Sequence, residues 1–229
     1  LIVDETSSTP VTVEPLVLAV PKGRILKEAT PLLRDAGIEP EAAFNDPDDR
    51  RLRFHTSDPM VDLIRVRSFD VATFVAFGGA QLGIAGSDVL LEFNYEEIYA
   101  PIDLGIGRCH IAVAAPEDVV ASDDPTRWSH IRVATKYPAI TSRYFAAQGV
   151  QAECIKLNGA IELAPLSGMC RRIVDLVSTG ATLRANGLQE IERIAEVSSR
   201  LAVNRVALKT RPVEMAGVID RLRSAAKTD

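Results

Sequence analysis

Cysteine is scarce and scattered: Cys109, Cys154 and Cys170 are the three in 229 residues, with no Cys-x-x-Cys spacing. That argues against a disulfide framework and against the usual zinc spacings, and it fits a reducing cytosol. Histidine is equally thin. His55, His110 and His130 lie far apart, so no Ser-His-Asp or Cys-His arrangement can be read from the chain. No apolar run approaches the ~20 residues that a membrane span requires. The opening LIVDETSSTPVTVEP carries no Lys or Arg and turns polar at once, unlike a secretory signal. Residues 1–14 read as a flexible arm, and a cytoplasmic location is expected. Basic charge is not in excess either. The formal net charge is -5, which gives no bulk attraction for nucleic acid, so any phosphate site has to be local.

What is present is an ordinary globular balance, 47% hydrophobic and 25% charged. Short β-type runs alternate with helical patterns, which predicts an α/β protein with mostly parallel sheets. The first strand, Leu16–Val20, runs through Pro21, Lys22 and Gly23 into a helix whose apolar face is Ile25, Leu26, Ala29, Leu32, Leu33 and Ala36. Further strands are expected at Leu63–Val66, Leu82–Ala85, Cys109–Ala114, Ile131–Ala134, Glu153–Leu157, Ile173–Val177 and Leu201–Leu208. Helices are expected at Phe69–Phe77, Ser87–Phe93, Ala139–Gln148, Gly159–Leu166 and from Pro212. The glycine-rich DLGIG, Asp103–Gly107, suggests a hinge. A first lobe of residues 15–103 plus about 190–229 would then flank a second lobe of residues 104–189.

The most informative stretch is IVDLVSTGATLRANGL, 173–188. An apolar strand places Asp175 near its end, and Ser178, Thr179, Gly180, Ala181 and Thr182 then open a helix. Successive amides in such a turn make an anion cradle, and a glycine lets a phosphate approach the backbone. Asp175 is placed to accept hydrogen bonds from vicinal ribose hydroxyls. The plainer alternative is that Thr-Gly-x-Thr merely caps a helix. The loop is neither a Walker loop nor a dinucleotide fingerprint. A second turn, Gly83–Asp88, offers Asp88 as a helix cap or a ligand contact. At the third, Lys22 and Arg24 follow the first strand, where open α/β sheets gather ligands; they face an anion or simply solvent. Arg50, Arg51 and Arg53 follow an acidic run and read as a solvated patch.

Several of these segments together resemble the ATP phosphoribosyltransferase family. Glu162, Gly168, Asp175, Thr179, Gly180, Thr182 and Leu183 fall at the spacing of its signature, and VPKGRI, DLGIGRC, RVATKYP and IKLNGAIELAPL are similar to its other segments. The similarity runs from about residue 16 to about residue 210. Cys170, Arg171 and Gln81 depart from the family pattern.

The resemblance implies two lobes like those of type II periplasmic binding proteins, with the active site in the cleft. It implies that ATP attacks 5-phosphoribosyl 1-pyrophosphate (PRPP) through adenine N1, with Mg²⁺ held mainly by substrate phosphates. Residues 178–182 would then hold the 5′-phosphate, Asp175 the ribose hydroxyls, and Glu162 the ribose end of the site. Lys22 and Arg24 would meet pyrophosphate or triphosphate. Arg24 and Arg50 would be the catalytic cations, Arg50 stabilising the departing pyrophosphate. The chain looks like the short form of the family, a homodimeric core within a hetero-oligomer whose regulatory subunit is related to histidyl-tRNA synthetase. The rival readings are a solute-binding protein on the same scaffold, and a phosphoribosyltransferase with another acceptor.

Overall fold

The computed structural model describes residues 14–46, 48–122 and 128–226. Apart from Glu14, the proposed N-terminal arm lies outside the described residues. Two sheets, each with helices on both faces, divide the chain. The first sheet has the order β2-β3-β1-β4-β11-β5. Its strands are β1 (Leu16–Pro21), β2 (Arg53–Phe54), β3 (Val61–Val66), β4 (Leu82–Gly86), β5 (Ile98–Asp103) and β11 (Ser199–Asn204). Its helices are α1 (Arg24–Asp35), α2 (Ser68–Ala76), α3 (Ser87–Phe93), α8 (Arg205–Thr210) and α9 (Pro212–Ala225). The second sheet has the order β10-β6-β9-β7-β8. It is built from β6 (Cys109–Pro116), β7 (His130–Thr135), β8 (Gln151–Lys156), β9 (Arg172–Val177) and β10 (Leu188–Val197), with α4 (Glu117–Ser122), α5 (Pro138–Ala147), α6 (Leu163–Leu166) and α7 (Ala181–Ala185).

The expected parallel pairs form: β1 with β3 and β4, and β7 with β8 and β9. Antiparallel strands flank them, namely β2, β11 and β5 in one sheet and β6 and β10 in the other. The sheets are therefore mixed rather than mostly parallel. β1 sits inside its sheet and is apolar on both faces, as such strands are. One face packs on α1 and α9 through Leu18, Leu33, Met215 and Leu222; the other meets Val71 and Val75 of α2. In the second sheet, Ile111, Val133 and Val174 pack against Phe145 of α5, while Ala112, Ile173 and Val177 pack against Leu183 of α7.

Three expectations shift. The sequence returns the chain to the first lobe near 190, but Leu188–Val197 pairs antiparallel with β6, so the return falls between Val197 and Ser199. Bulges between Glu190 and Glu192, and between Arg193 and Ala195, break the two-residue alternation that would have marked this strand. The strand expected over Leu201–Leu208 stops at Asn204, whose side chain accepts from the Ala207 amide at 2.8 Å and starts α8. The helix expected over Gly159–Leu166 shrinks to Leu163–Leu166, because Ala160 is left-handed at φ 51°.

The two chain crossings lie side by side. The Leu104 amide donates to the Ser199 carbonyl at 2.9 Å, and the Ser199 amide to the Ile106 carbonyl at 2.9 Å. Gly107 is left-handed at φ 67°, and a Cβ there would lie 2.3 Å from Ile25 Cδ1 and 2.9 Å from Ser199 Oγ. Gly107→Ala is therefore expected to combine strain with overpacking and to cost about 2–4 kcal/mol. Thermal denaturation should show a fall in Tm of roughly 5–15 °C for a chain of this size.

Candidate functional site

β9 ends at Val177, and the chain turns through Ser178, Thr179 and Gly180 into α7. Gly180 sits left-handed at φ 70°, and a Cβ on it would lie 2.9 Å from Arg184 Nη1. The Ala181 amide donates to Thr179 Oγ1 at 3.4 Å. Among the described residues, the amides of Thr179, Gly180 and Thr182 donate to no protein acceptor. Thr179 and Gly180 border a cavity of about 540 Å³ whose walls also include Ser178, Arg184, His110, Arg193, Glu117 and Glu190. A five-residue helix contributes little macrodipole. What the turn offers an anion is its unpaired amides and the Arg184 guanidinium beside them. That cation escaped the sequence reading: the guanidinium folds back and donates to the Thr179 carbonyl at 3.1 Å.

Asp175 stands on β9 shortly before the loop, half-buried, with Oδ1 accepting from its neighbour's amide, Leu176, at 2.8 Å. Burial pushes its pKa up to about 6. The Leu176 hydrogen bond opposes that shift, the Glu162 carboxylate adds to it, Lys136 opposes it and Asp88 adds to it. Asp175 and Glu162 are thus close neighbours in charge. Lys136, which the sequence reading did not select, sits at the end of β7 with its ammonium 4.2 Å from the Phe69 ring centroid. The rule that flagged Lys22, a cation at the carboxyl end of a strand, would have found it.

The site gathers residues from both sheets. Arg24, at the start of α1, reaches Ser178 Oγ at 3.4 Å and the Gly107 carbonyl at 3.5 Å. Asp88, read from sequence as a cap or a ligand contact, lies buried in the first turn of α3 and accepts from the Tyr137 hydroxyl at 2.8 Å. Burial raises the pKa of both groups, and the Asp88 and Asp175 carboxylates and the Cys109 thiol strengthen the shift of Tyr137. Glu92 of α3 caps α5 in the other lobe, accepting from the Ala139 and Ile140 amides at 2.9 and 3.0 Å.

Lys22 and Arg50 do not border the loop cavity. They share a second one of about 680 Å³ with Lys27, Arg65, Leu26 and Leu52. Of the three clustered arginines, Arg51 pairs with Asp49 at 2.9 Å and Arg53 with Asp62 at 2.8 Å, whereas Arg50 has no ion pair among the described residues. The departures are locally accommodated. Gln81 Oε1 accepts from the Val17 amide at 2.9 Å, Cys170 is buried beside Ile161 and Ala164, and Arg171 is exposed.

A family model described as ATP phosphoribosyltransferase matches residues 67–224. The "ATP phosphoribosyltransferase" of Paramagnetospirillum magneticum is 70% identical over 210 residues, covering 92% of this chain and 96% of that protein. Among solved structures, the ATP phosphoribosyl transferase (HisG:HisZ) complex from Thermotoga maritima matches with a TM-score of 0.79 and 29% identity, over 93% of this chain and all (100%) of that one. The alkanesulfonate-binding protein from Xanthomonas axonopodis pv. citri, bound to MOPS, matches with a TM-score of 0.56 and 14% identity, over 93% of this chain and 74% of that one. The last likeness shows the fold alone: two lobes of the type II periplasmic-binding-protein kind.

Asp175 provides a test of the site's electrostatics. Its folded pKa, about 6, lies above the ordinary 3.8, so between those values the folded chain holds the extra proton. Stability then falls as pH rises through this window, and above it the half-buried carboxylate destabilises the fold by up to about 3 kcal/mol. Asp175→Asn should therefore raise Tm at pH 7.5. The gain should vanish below about pH 4 in a melt series against pH.

Proposed function

The chain belongs to the ATP phosphoribosyltransferase family and catalyses the first step of histidine biosynthesis, and we propose how its cleft does so. The phosphoribosyl group of PRPP passes to N1 of the ATP adenine and pyrophosphate leaves. Adenine N1 presents a lone pair and needs no general base. Catalysis is then chiefly positioning and stabilisation of the negative charge that grows on the leaving group.

The single observation that carries the assignment of roles is the set of unpaired amides at 179, 180 and 182, a few residues from a half-buried carboxylate. In this reading Ser178, Thr179, Gly180, Ala181 and Thr182 hold the 5′-phosphate. Asp175 accepts from the ribose hydroxyls as a carboxylate, which its pKa of about 6 permits at neutral pH. Glu162 orders the ribose end. Arg24, already against Ser178, lies between the sugar phosphate and the crossing at Gly107. Lys22 and Arg50 meet the pyrophosphate or triphosphate in the cavity they share, Arg50 acting on the departing group.

Mg²⁺ is part of the proposal. The ion would travel chiefly with the substrate phosphates, as Mg²⁺ commonly does. Bound there, it would neutralise part of the polyphosphate charge. The Thermotoga maritima relative is a two-component complex, which supports a hetero-oligomer with a regulatory subunit; the proposal adds that this subunit is related to histidyl-tRNA synthetase and that the core is homodimeric. No helix among the described residues is long and apolar enough to cross a membrane. We place the enzyme in the cytoplasm, where its substrates are found.

Incubation with ATP, PRPP and Mg²⁺ should yield a new ultraviolet-absorbing adduct and pyrophosphate. Tight PRPP binding with no adduct would instead favour a non-catalytic binding protein, and an adduct only with other bases would change the acceptor. Asp175→Ala and Gly180→Val should each abolish PRPP binding in calorimetry while the circular dichroism spectrum stays native. Arg50→Ala should lower kcat by roughly 10²–10³ with a much smaller change in KM.

A further inference from the structure

β3 points Val61 and Leu63 into the core formed with α1 and α9, and the two-residue alternation places Arg65 third in that row. A cation in a core row contradicts the pattern around it. Such local conflicts concentrate where function overrides packing. Arg65 is 7% exposed. Its Nη1 donates to the carbonyls of Phe44 and Asp46 at 2.8 and 3.0 Å, and its Nη2 to those of Asp49 and Arg51 at 2.6 and 3.4 Å. Its own amide donates to the Leu52 carbonyl at 2.9 Å. The guanidinium also lies 4.9 Å from the Phe54 ring centroid.

One planar group thus fastens both flanks of Arg50. Its partners are neutral carbonyls and a ring face, so its charge is not cancelled by an ion pair. The nearest acid, Asp49, is engaged by Arg51 through both oxygens, at 3.2 Å and 2.9 Å. Buried Nε has no hydrogen-bond partner among the described residues, and Arg65 helps line the cavity that holds Lys22, Lys27 and Arg50. A buried, uncancelled cation is expensive in free energy unless something anionic comes to it.

We propose, resting on the polyphosphate role given above to Lys22 and Arg50, that Arg65 is a positioning residue that shapes the segment around Arg50 so that Lys22, Lys27 and Arg50 converge on a pyrophosphate group. Lysine could supply the charge but not the fork that spans four carbonyls. Methionine could fill the space but supplies neither.

The test uses the full chain, calorimetry with inorganic pyrophosphate and with ribose 5-phosphate, and a cycle of Arg65→Met, Arg50→Ala and the double variant. Arg65→Met should weaken pyrophosphate binding by roughly 10- to 100-fold, the scale of a misplaced contact. Ribose 5-phosphate, held by the other lobe, should bind as before. The double variant should be no weaker for pyrophosphate than Arg50→Ala alone, since Arg65 acts through Arg50. Additive losses, or equal weakening of both ligands, would overturn the inference. Should Arg65→Met fail to fold, Arg65→Lys takes its place in the same cycle with the same expectations, and wild-type pyrophosphate affinity in that variant would also overturn it. If Arg50→Ala leaves pyrophosphate affinity untouched, the role of Arg50 itself is wrong and the inference falls with it. If Arg50→Ala weakens binding and Arg65→Met does not, only the inference falls.

Discussion

Two main-chain hydrogen bonds, between Leu104 and Ser199 and between Ser199 and Ile106, tie the outgoing and returning crossings into one narrow strap. Everything else follows from that constraint. Because the chain passes twice at one place, the two sheets are joined there, and Arg24 of one lobe meets Ser178 of the other. Asp103 reinforces the strap, receiving the Ser198 hydroxyl at 2.9 Å and Arg200 at 3.2 Å. Gly107 completes it by leaving no Cβ where Ile25 and Ser199 must come close. A fold built this way fixes the loop at 178–182 opposite the turn at 22–24 with few residues spent on the joint.

The crevice sorts its charges by lobe. Carboxylates and free amides gather on the second sheet, around Asp175, Glu162 and the Gly180 turn. The cations Lys22, Lys27, Arg50 and Arg65 line a cavity on the first, beside Asp49. Arg24 crosses to Ser178, and Lys136 leans from the second lobe onto Phe69 of the first. A substrate with a sugar phosphate at one end and a pyrophosphate at the other matches that division. The same charge asymmetry explains why a chain of net charge -5 needs no overall positive field to hold such ligands.

Much of this architecture was legible in the residues. Runs such as LVLAVP and RIVDLV are apolar enough to declare buried strands, and the α3 boundaries, Ser87–Phe93, came out unchanged. β10 was illegible because its two bulges dephase the alternation, and α8 because a single capping asparagine outweighs the β-branched residues after it. The loop announced itself because its chemistry is contiguous: acid, hydroxyls and glycine lie within eight positions. Tyr137 and Arg65 gave little signal because what they do depends on partners far away in sequence. Asp88 lies 49 positions from Tyr137, and Phe44 lies 21 from Arg65. Such roles are properties of the folded arrangement, and no local pattern encodes them.

The Glu92 cap has a mechanical consequence. Helix α5 belongs to one lobe, yet the carboxylate that satisfies its first amides is anchored on α3 of the other. Any swing that widens the crevice on this side must first strip that helix of its cap and hand its amides to water, at a cost of about 1 kcal/mol. The backbone end of α5 is in this sense a built-in detent: small excursions of the lobes meet a restoring pull, and only a movement large enough to let water replace the carboxylate proceeds freely.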